Sequence, residues 1–259
     1  MEKSLIELLE NRHSVRVFKH EKIAKETIDK LKELTLRAPS AGNMQLYSII
    51  EVTDDTVKDK LSILCDNQPM IARAPLVWVF LADNNKWEEY FRVSKSELKT
   101  GIGLRVTGTG DLFLTMQDAI ITASYAAISA EALGLGSCFI GDVIENCEKM
   151  RELLSLPDHA IPVAMLIMGI PADVKEKKEL TPRPPIDSDI FMENAYKEPT
   201  KDSLEKEYSN HNDYMMRHKK LPKGNLTTIA DEIYSRKYTS AFMEEMNRSC
   251  AEYLNIYLK

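Results

Sequence analysis

Two guanidiniums, an imidazole and a hydroxyl fall within five residues in Arg12-His13-Ser14-Val15-Arg16. Arginine meets phosphate oxygens through paired N–H donors, and a hydroxyl and an imidazole add single donors. The segment therefore has the chemistry of a small-anion site. It also follows directly on a helical pattern, and cations at a helix C-terminus interact favourably with the helix dipole without any ligand. Taken alone, it fits a phosphate site and a solvated cation cluster equally well.

Other chemistries lack their residues. There is no GxxxxGK(S/T) loop and no GxSxG elbow. Gly134-Leu135-Gly136 opens like a dinucleotide fingerprint, but Phe139 stands at the third glycine position. The histidines (His13, His20, His159, His211, His218) form no HExxH or paired ligand set. The cysteines (Cys65, Cys138, Cys147, Cys250) form no CxxC pair. No metal site is expected, and the thiols read as buried and reduced. Ser96-Glu97-Leu98-Lys99 matches SxxK by chance, in a polar stretch without its partner motifs.

The elements that must position the basic segment follow from periodicity. Residues 3–10 read as a short helix with Leu5, Ile6, Leu8 and Leu9 on one face, and residues 25–37 as a second, stopping before Pro39. Pro39-Ser40-Ala41-Gly42-Asn43 is a polar loop, 48–52 a strand and 55–64 a helix. The apolar run 76–81 suits a strand covered on both faces. Residues 83–110 are polar, with glycines at 101, 103, 108 and 110, and read as a mobile helical insertion ending in a loop. Residues 117–133 form a helix that is apolar nearly all round and closed by Gly134, hence a central helix or one at a subunit interface. Strands follow at 135–140 and 164–170. A charged stretch from 201 to 223 leads to a last amphipathic helix at 227–256, with Ile229, Ile233, Phe242, Met246, Cys250 and Leu254 apolar.

The 259 residues carry a formal charge of −6 with both signs mixed along the chain. That argues against a nucleic-acid binder. The longest apolar runs are too short to span a bilayer, and the charged start is no secretory signal. A soluble, cytoplasmic protein without a membrane partner is expected.

Short segments, in order along the chain, resemble the FMN-dependent nitroreductase family. Arg12-His13-Ser14-Val15-Arg16-Val17-Phe18 resembles its RxSxRxF signature, and Ala38-Pro39-Ser40-Ala41-Gly42-Asn43-Met44-Gln45 its APSxxNxQ loop. Asn67-Gln68 with 74–80 resembles an element of the larger, NADPH-preferring flavin reductase subgroup. Residues 131–141 are similar to the family's helix and glycine-rich strand. Met168-Gly169-Ile170-Pro171-Ala172 and Thr181-Pro182-Arg183-Pro184-Pro185 are similar to its closing elements.

The resemblance implies an α+β fold: a central mixed or antiparallel sheet flanked by helices, in a homodimer with a C-terminal extension wrapping the partner. It implies a nitroreductase-like domain over 1–196 and a helical extension of the same domain over 197–259. Arg12, His13, Ser14 and Arg16 would hold the FMN phosphate and the flavin edge, and Arg183 would add a second charge on the phosphate. The subgroup usually carries a lysine two residues before that arginine; this chain has Thr181. Ser40, Asn43 and Gln45 would reach the flavin from the partner subunit. Gln68 would bond the ring edge, and Ile140 and Gly141 would lie against the ring. A glycine admits close backbone approach to a flat ligand.

The implied activity is an NAD(P)H oxidoreductase. NADPH or NADH passes hydride to flavin N5 and leaves, and a nitroaromatic, a quinone or free flavin takes its place. Flavin carries the chemistry, so no catalytic protein residue is expected. The basic tract Arg217-His218-Lys219-Lys220 with Lys223 lies where the subgroup binds the NADPH 2′-phosphate, and its pattern favours a solvated charge run. A reductive dehalogenase, a flavin-modifying enzyme and a flavin-binding redox sensor with little turnover remain alternatives.

Overall fold

The computed structural model describes residues 4–103, 105–172, 179–218 and 227–259. The chain divides into two compact units, one of residues 1–174 with 245–259 and one of residues 175–244. Residues 245–257 of the last helix belong to the first unit.

The first unit runs α1 (Leu5–Asn11), α2 (Lys25–Thr35), β1 (Tyr47–Glu51), α3 (Asp55–Leu64), α4 (Pro69–Ala72), β2 (Leu76–Asp83), α5 (Asn85–Ser94), α6 (Ser96–Thr100), α7 (Thr109–Ala132), β3 (Gly136–Ile140), α8 (Cys147–Leu154) and β4 (Ala160–Gly169). The second unit holds α9 (Lys201–Arg217) and α10 (Ile229–Ile233), followed by a π-turn at Tyr234–Tyr238. Helix α11 (Ala241–Tyr257) closes the chain.

The four strands form one sheet in the order β1-β2-β4-β3. Every pairing is antiparallel, and the parallel element is a single bridge between Ser14 and Ser137. Strand β2 is buried along its whole length, as a strand covered on both faces must be. Val77, Val79 and Leu81 pack with Leu61, Ile71 and Met150 of α3, α4 and α8. Leu76, Trp78 and Phe80 pack with Leu31 of α2 and the alanines 123, 126, 127 and 130 of α7. The small α7 side chains bring that helix close to the sheet, and each large side chain fully buried there contributes about 1.5–3 kcal/mol.

Several boundaries differ from the sequence expectation, and four have a clear physical reason. Helix α2 ends at Thr35, two residues early, because Leu36 and Arg37 make the turn that enters the pre-proline residue Ala38. Helix α7 starts at Thr109 rather than 117. The Asp111 carboxylate accepts the Gly108 N–H at 2.9 Å, which satisfies the helix start at glycines that read as loop. Strand β4 starts at Ala160, passing through Pro162; that residue sits at a register shift and beyond the residues that pair with β3, where a missing N–H is tolerated. The expected helix 227–256 is broken between Tyr238 and Ala241. Its buried stripe in α11 is Ser249, Tyr253 and Tyr257 at four-residue spacing, so Cys250 faces outward and is exposed rather than buried.

The end of α7 follows the reading closely. Gly134 takes φ +76°, Leu135 N–H reaches Ala130 O at 2.8 Å and Gly134 N–H reaches Glu131 O at 3.1 Å, the paired bonds of a Schellman cap.

Candidate functional site

The Arg12–Arg16 segment is positioned by the edge of the sheet. Helix α1 is opened by a Ser4–Glu7 capping box and ends with Arg12 as its C-cap in extended conformation. His13 Nδ1 lies 3.0 Å from Asn11 O. Val15 N–H then donates to Ser137 O at 2.9 Å, Lys19 N–H to Ile170 O at 2.9 Å and Ala172 N–H to Val17 O at 3.1 Å. The segment therefore crosses the end of the sheet where β3 starts and β4 finishes.

Two glycines make room for it. A Cβ on Gly136 would lie 2.6 Å from Val15 Cγ2, and one on Gly169 would lie 2.8 Å from Phe18 Cγ. Arg12 is half-buried and Arg16 exposed. Neither guanidinium forms an ion pair or a hydrogen bond among the described residues. Two guanidiniums on one short segment, without ion-pair partners among the described residues, are suited to a dianionic phosphate.

At the other end of β3 lie Ile140, buried, and Gly141, exposed with nothing within 4 Å of where a Cβ would stand. A flat ligand can therefore approach the Gly141 backbone. Gln68, the N-cap of α4, meets this point: its Nε2 donates to Asp142 Oδ2 at 2.6 Å. The structure thus joins Gln68 to Ile140–Gly141 although 74 residues separate Gln68 from Asp142.

This end is acidic. Burial pushes the Glu145 carboxyl up to about 7, and the charges of Asp142 and Asp66 add to the effect. Burial also pushes up the Cys65 thiol, with Asp142 and Glu145 contributing. Strand β3 is therefore bordered by cations at its start and by carboxyls at its end. The separation from Ser137 to Gly141 is about 13 Å at strand rise.

Ser40, Asn43 and Gln45 occupy the loop that leads into β1, the opposite edge strand. One chain does not bring them to the β3 end, from which β1 is about 14 Å across the sheet. The loop is well fixed. Gly42, Asn43 and Gln45 take φ +56°, +55° and +49°. Gln45 N–H and Nε2 donate to Ser40 Oγ at 3.1 and 3.3 Å, and Nε2 also to Asn43 Oδ1 at 2.8 Å. Trp87 Nε1 holds Met44 O at 2.8 Å.

Asp118, which sequence reasoning missed, clamps this loop. Its carboxylate accepts Ala41 N–H at 2.8 Å and Leu46 N–H at 3.1 Å while it is only 2% exposed. The available signal was a lone carboxylate on the buried stripe of an otherwise apolar helix; a buried charge needs donors.

Arg183 belongs to the second unit. It is exposed, and its Nη1 lies 3.4 Å from Thr181 O and 3.5 Å from Pro182 O. Of the basic tract, Lys219, Lys220 and Lys223 lie outside the described residues. Arg217 and His218 are both engaged by Glu179, at 3.0 and 2.9 Å.

Comparisons with known proteins agree on one relationship. The family model described as Nitroreductase family matches residues 9–170. The chain is 32% identical over 197 residues to an "FMN reductase (NADPH)" of Bacillus subtilis (strain 168), covering 76% of each chain. It is 30% identical over 196 residues to an "NADPH-dependent oxidoreductase" of Staphylococcus aureus (strain USA300), covering 76% of this chain and 75% of the other. Among solved structures, B. megaterium NfrA1 superposes with a TM-score of 0.78 at 28% identity, covering 97% of this chain and 98% of that one.

Proposed function

This chain belongs to the nitroreductase family, and on that premise we propose that it is an FMN-dependent oxidoreductase using NADPH or NADH. The printed descriptions of its relatives, an FMN reductase (NADPH) and an NADPH-dependent oxidoreductase, support that reading. The observation that carries it for this chain is the layout of β3. Unpaired guanidiniums stand where the strand starts, and an open glycine beside a glutamine amide stands where it ends. A phosphate joined through a ribityl chain to a flat ring fits that spacing.

In this reading Arg12, His13, Ser14 and Arg16 hold the phosphate and the edge of the flavin ring. Ile140 and Gly141 back the ring and Gln68 bonds its edge. FMN held there would supply the redox chemistry between a nicotinamide donor and the acceptor. The protein binds, orients and excludes water, and no side chain serves as nucleophile or acid–base group. Nitroaromatics, quinones or free flavin are the proposed acceptors, exchanged in turn with the donor at one site.

We place Ser40, Asn43 and Gln45 in the site of a second copy. The outer face of α7 supports a homodimer: Phe113, Ile120 and Ile121 are 65%, 46% and 38% exposed. On α1, Leu5, Ile6 and Leu9 are also exposed. Contiguous exposed apolar surface of this kind marks an interface. Residues 1–196 then form the flavin domain, 197–259 its extension around the partner, and the protein works in the cytoplasm.

Anaerobic addition of NADPH or NADH to the FMN-loaded protein tests the activity. Rapid bleaching of the flavin band, followed by recovery on adding a quinone or a nitroaromatic, is the expected result. Bound flavin that bleaches only sluggishly would make the protein a flavin-binding sensor instead. Because Glu179 already occupies Arg217 and His218, equal rates with the two nucleotides would remove the basic tract from donor recognition.

A further inference from the structure

We propose that Asp142 is a positioning residue: it fixes which atom of the Gln68 carboxamide faces a bound ring, and Glu145 sets the charge that Asp142's surroundings carry. The inference rests on the FMN reading above.

The backbone of Gln68 is held at both polar groups. Its N–H donates to Ser62 O at 2.9 Å, and its carbonyl accepts Ser62 Oγ at 2.8 Å. Its side chain is then oriented by one contact, Nε2 to Asp142 Oδ2 at 2.6 Å. An ionised carboxylate only accepts, so it selects the amino side of the carboxamide. Gln68 Oε1 accepts nothing among the described residues. Gln68 Oε1 is thus turned away from Asp142 and left for a ligand together with the second N–H of Nε2, and as an acceptor it suits the imide N–H of a pyrimidine-like ring edge. Asp142 directly follows Gly141, so the anchor and the ring-facing backbone move as one piece.

Glu145 closes the same short turn, its N–H bonded to Asp142 O at 3.0 Å. It is 3% exposed, and its Oε1 is buried without a hydrogen-bond partner. A neutral carboxyl is tolerated there far better than a carboxylate. The groups facing it are all acidic or neutral: Asp142 on its own turn, Cys65 and Asp66 after α3, and Glu245 of α11. Glu245 is itself engaged by Arg248 at 2.8 Å and Ser249 at 2.7 Å. As pH rises through about 7, Glu145 ionises and places a second negative charge next to Asp142. An anionic ligand is then bound less tightly.

The test uses the full chain and FMN itself. Dissociation constants from flavin fluorescence quenching are measured at about pH 6 and about pH 8.5, with the midpoint potential of bound FMN, for wild type and variants. D142A is expected to weaken FMN roughly tenfold. D142N, which keeps an acceptor for Gln68 Nε2 but can also turn a donor toward Gln68, loses less than D142A. In a Q68A background D142A has no further effect. Wild-type affinity falls from the lower to the higher pH, and E145Q flattens that profile. Equal losses in D142A and D142N, or a flat wild-type profile, would overturn the inference while FMN binding stands. A wild-type protein that takes up no FMN overturns the FMN reading as well.

Discussion

Val15 fills the space that a side chain at Gly136 would need. A Cβ there would lie 2.6 to 2.9 Å from three carbons of the valine. A β-branched residue cannot rotate all of them away, so alanine at 136 must push the N-terminal segment off β3. G136A should cost about 1–3 kcal/mol, the usual scale of overpacking, and should loosen FMN because Arg12 and Arg16 move with Val15. Val15→Ala combined with G136A removes the two Cγ contacts but keeps the one to the Cβ of residue 15 at 2.7 Å, so it should recover only part of both losses. Thermal melts and FMN titrations of the single and double variants check this; additive losses would mean that the contact is not the cause.

The Asp118 carboxylate is the only acceptor for two loop N–H groups among the described residues. D118A leaves both without a partner, one of them on buried Leu46. The expected loss is about 3 kcal/mol in denaturant unfolding, on the scale of a charged hydrogen bond removed from a buried site. FMN binding should weaken too, since the loop carries Ser40, Asn43 and Gln45. Unchanged FMN affinity in a folded D118A protein would detach that loop from the site.

Glu145 predicts a pH dependence of stability. In the folded chain its carboxyl holds a proton up to about 7, against an ordinary value of 4.5. Between those values the folded state binds more protons than the unfolded one, so this residue lowers stability as pH rises from about 4.5 to about 7, and the loss persists above. E145Q removes it. The variant should match wild type near pH 4 and exceed it by on the order of 2 kcal/mol at about pH 8. A difference that does not change with pH, measured by denaturant midpoints, would contradict the assignment.

Much of the fold was legible because local signals agreed with it. The apolar run of β2, the buried α7 and the Gly134 cap each follow from residue type and period. Two of the misread boundaries are local breakers that their surroundings tolerate. Gly108 and Gly110 start a helix because Asp111 caps it, and Pro162 stays in a strand because of its position at a register shift. In the site, the sequence displayed the donors of Arg12–Arg16 but not their neighbours. Asp118 and Asp142 act on loops 77 and 74 residues away, and no spacing rule connects residues so far apart. Nothing in the sequence around Glu145 marks it as buried, yet it is 3% exposed.

The account turns on Arg16. It is exposed and without an ion-pair partner among the described residues, so replacing it should leave stability within about 0.5 kcal/mol while removing a phosphate contact. The most direct measurement is FMN content and affinity of the purified wild-type and R16A proteins. The account predicts a yellow, stoichiometrically loaded wild type and an R16A protein that loses its flavin on purification and rebinds it at least about tenfold more weakly. R16A retaining FMN at unchanged affinity, or a colourless wild type that takes up no added FMN, would contradict it.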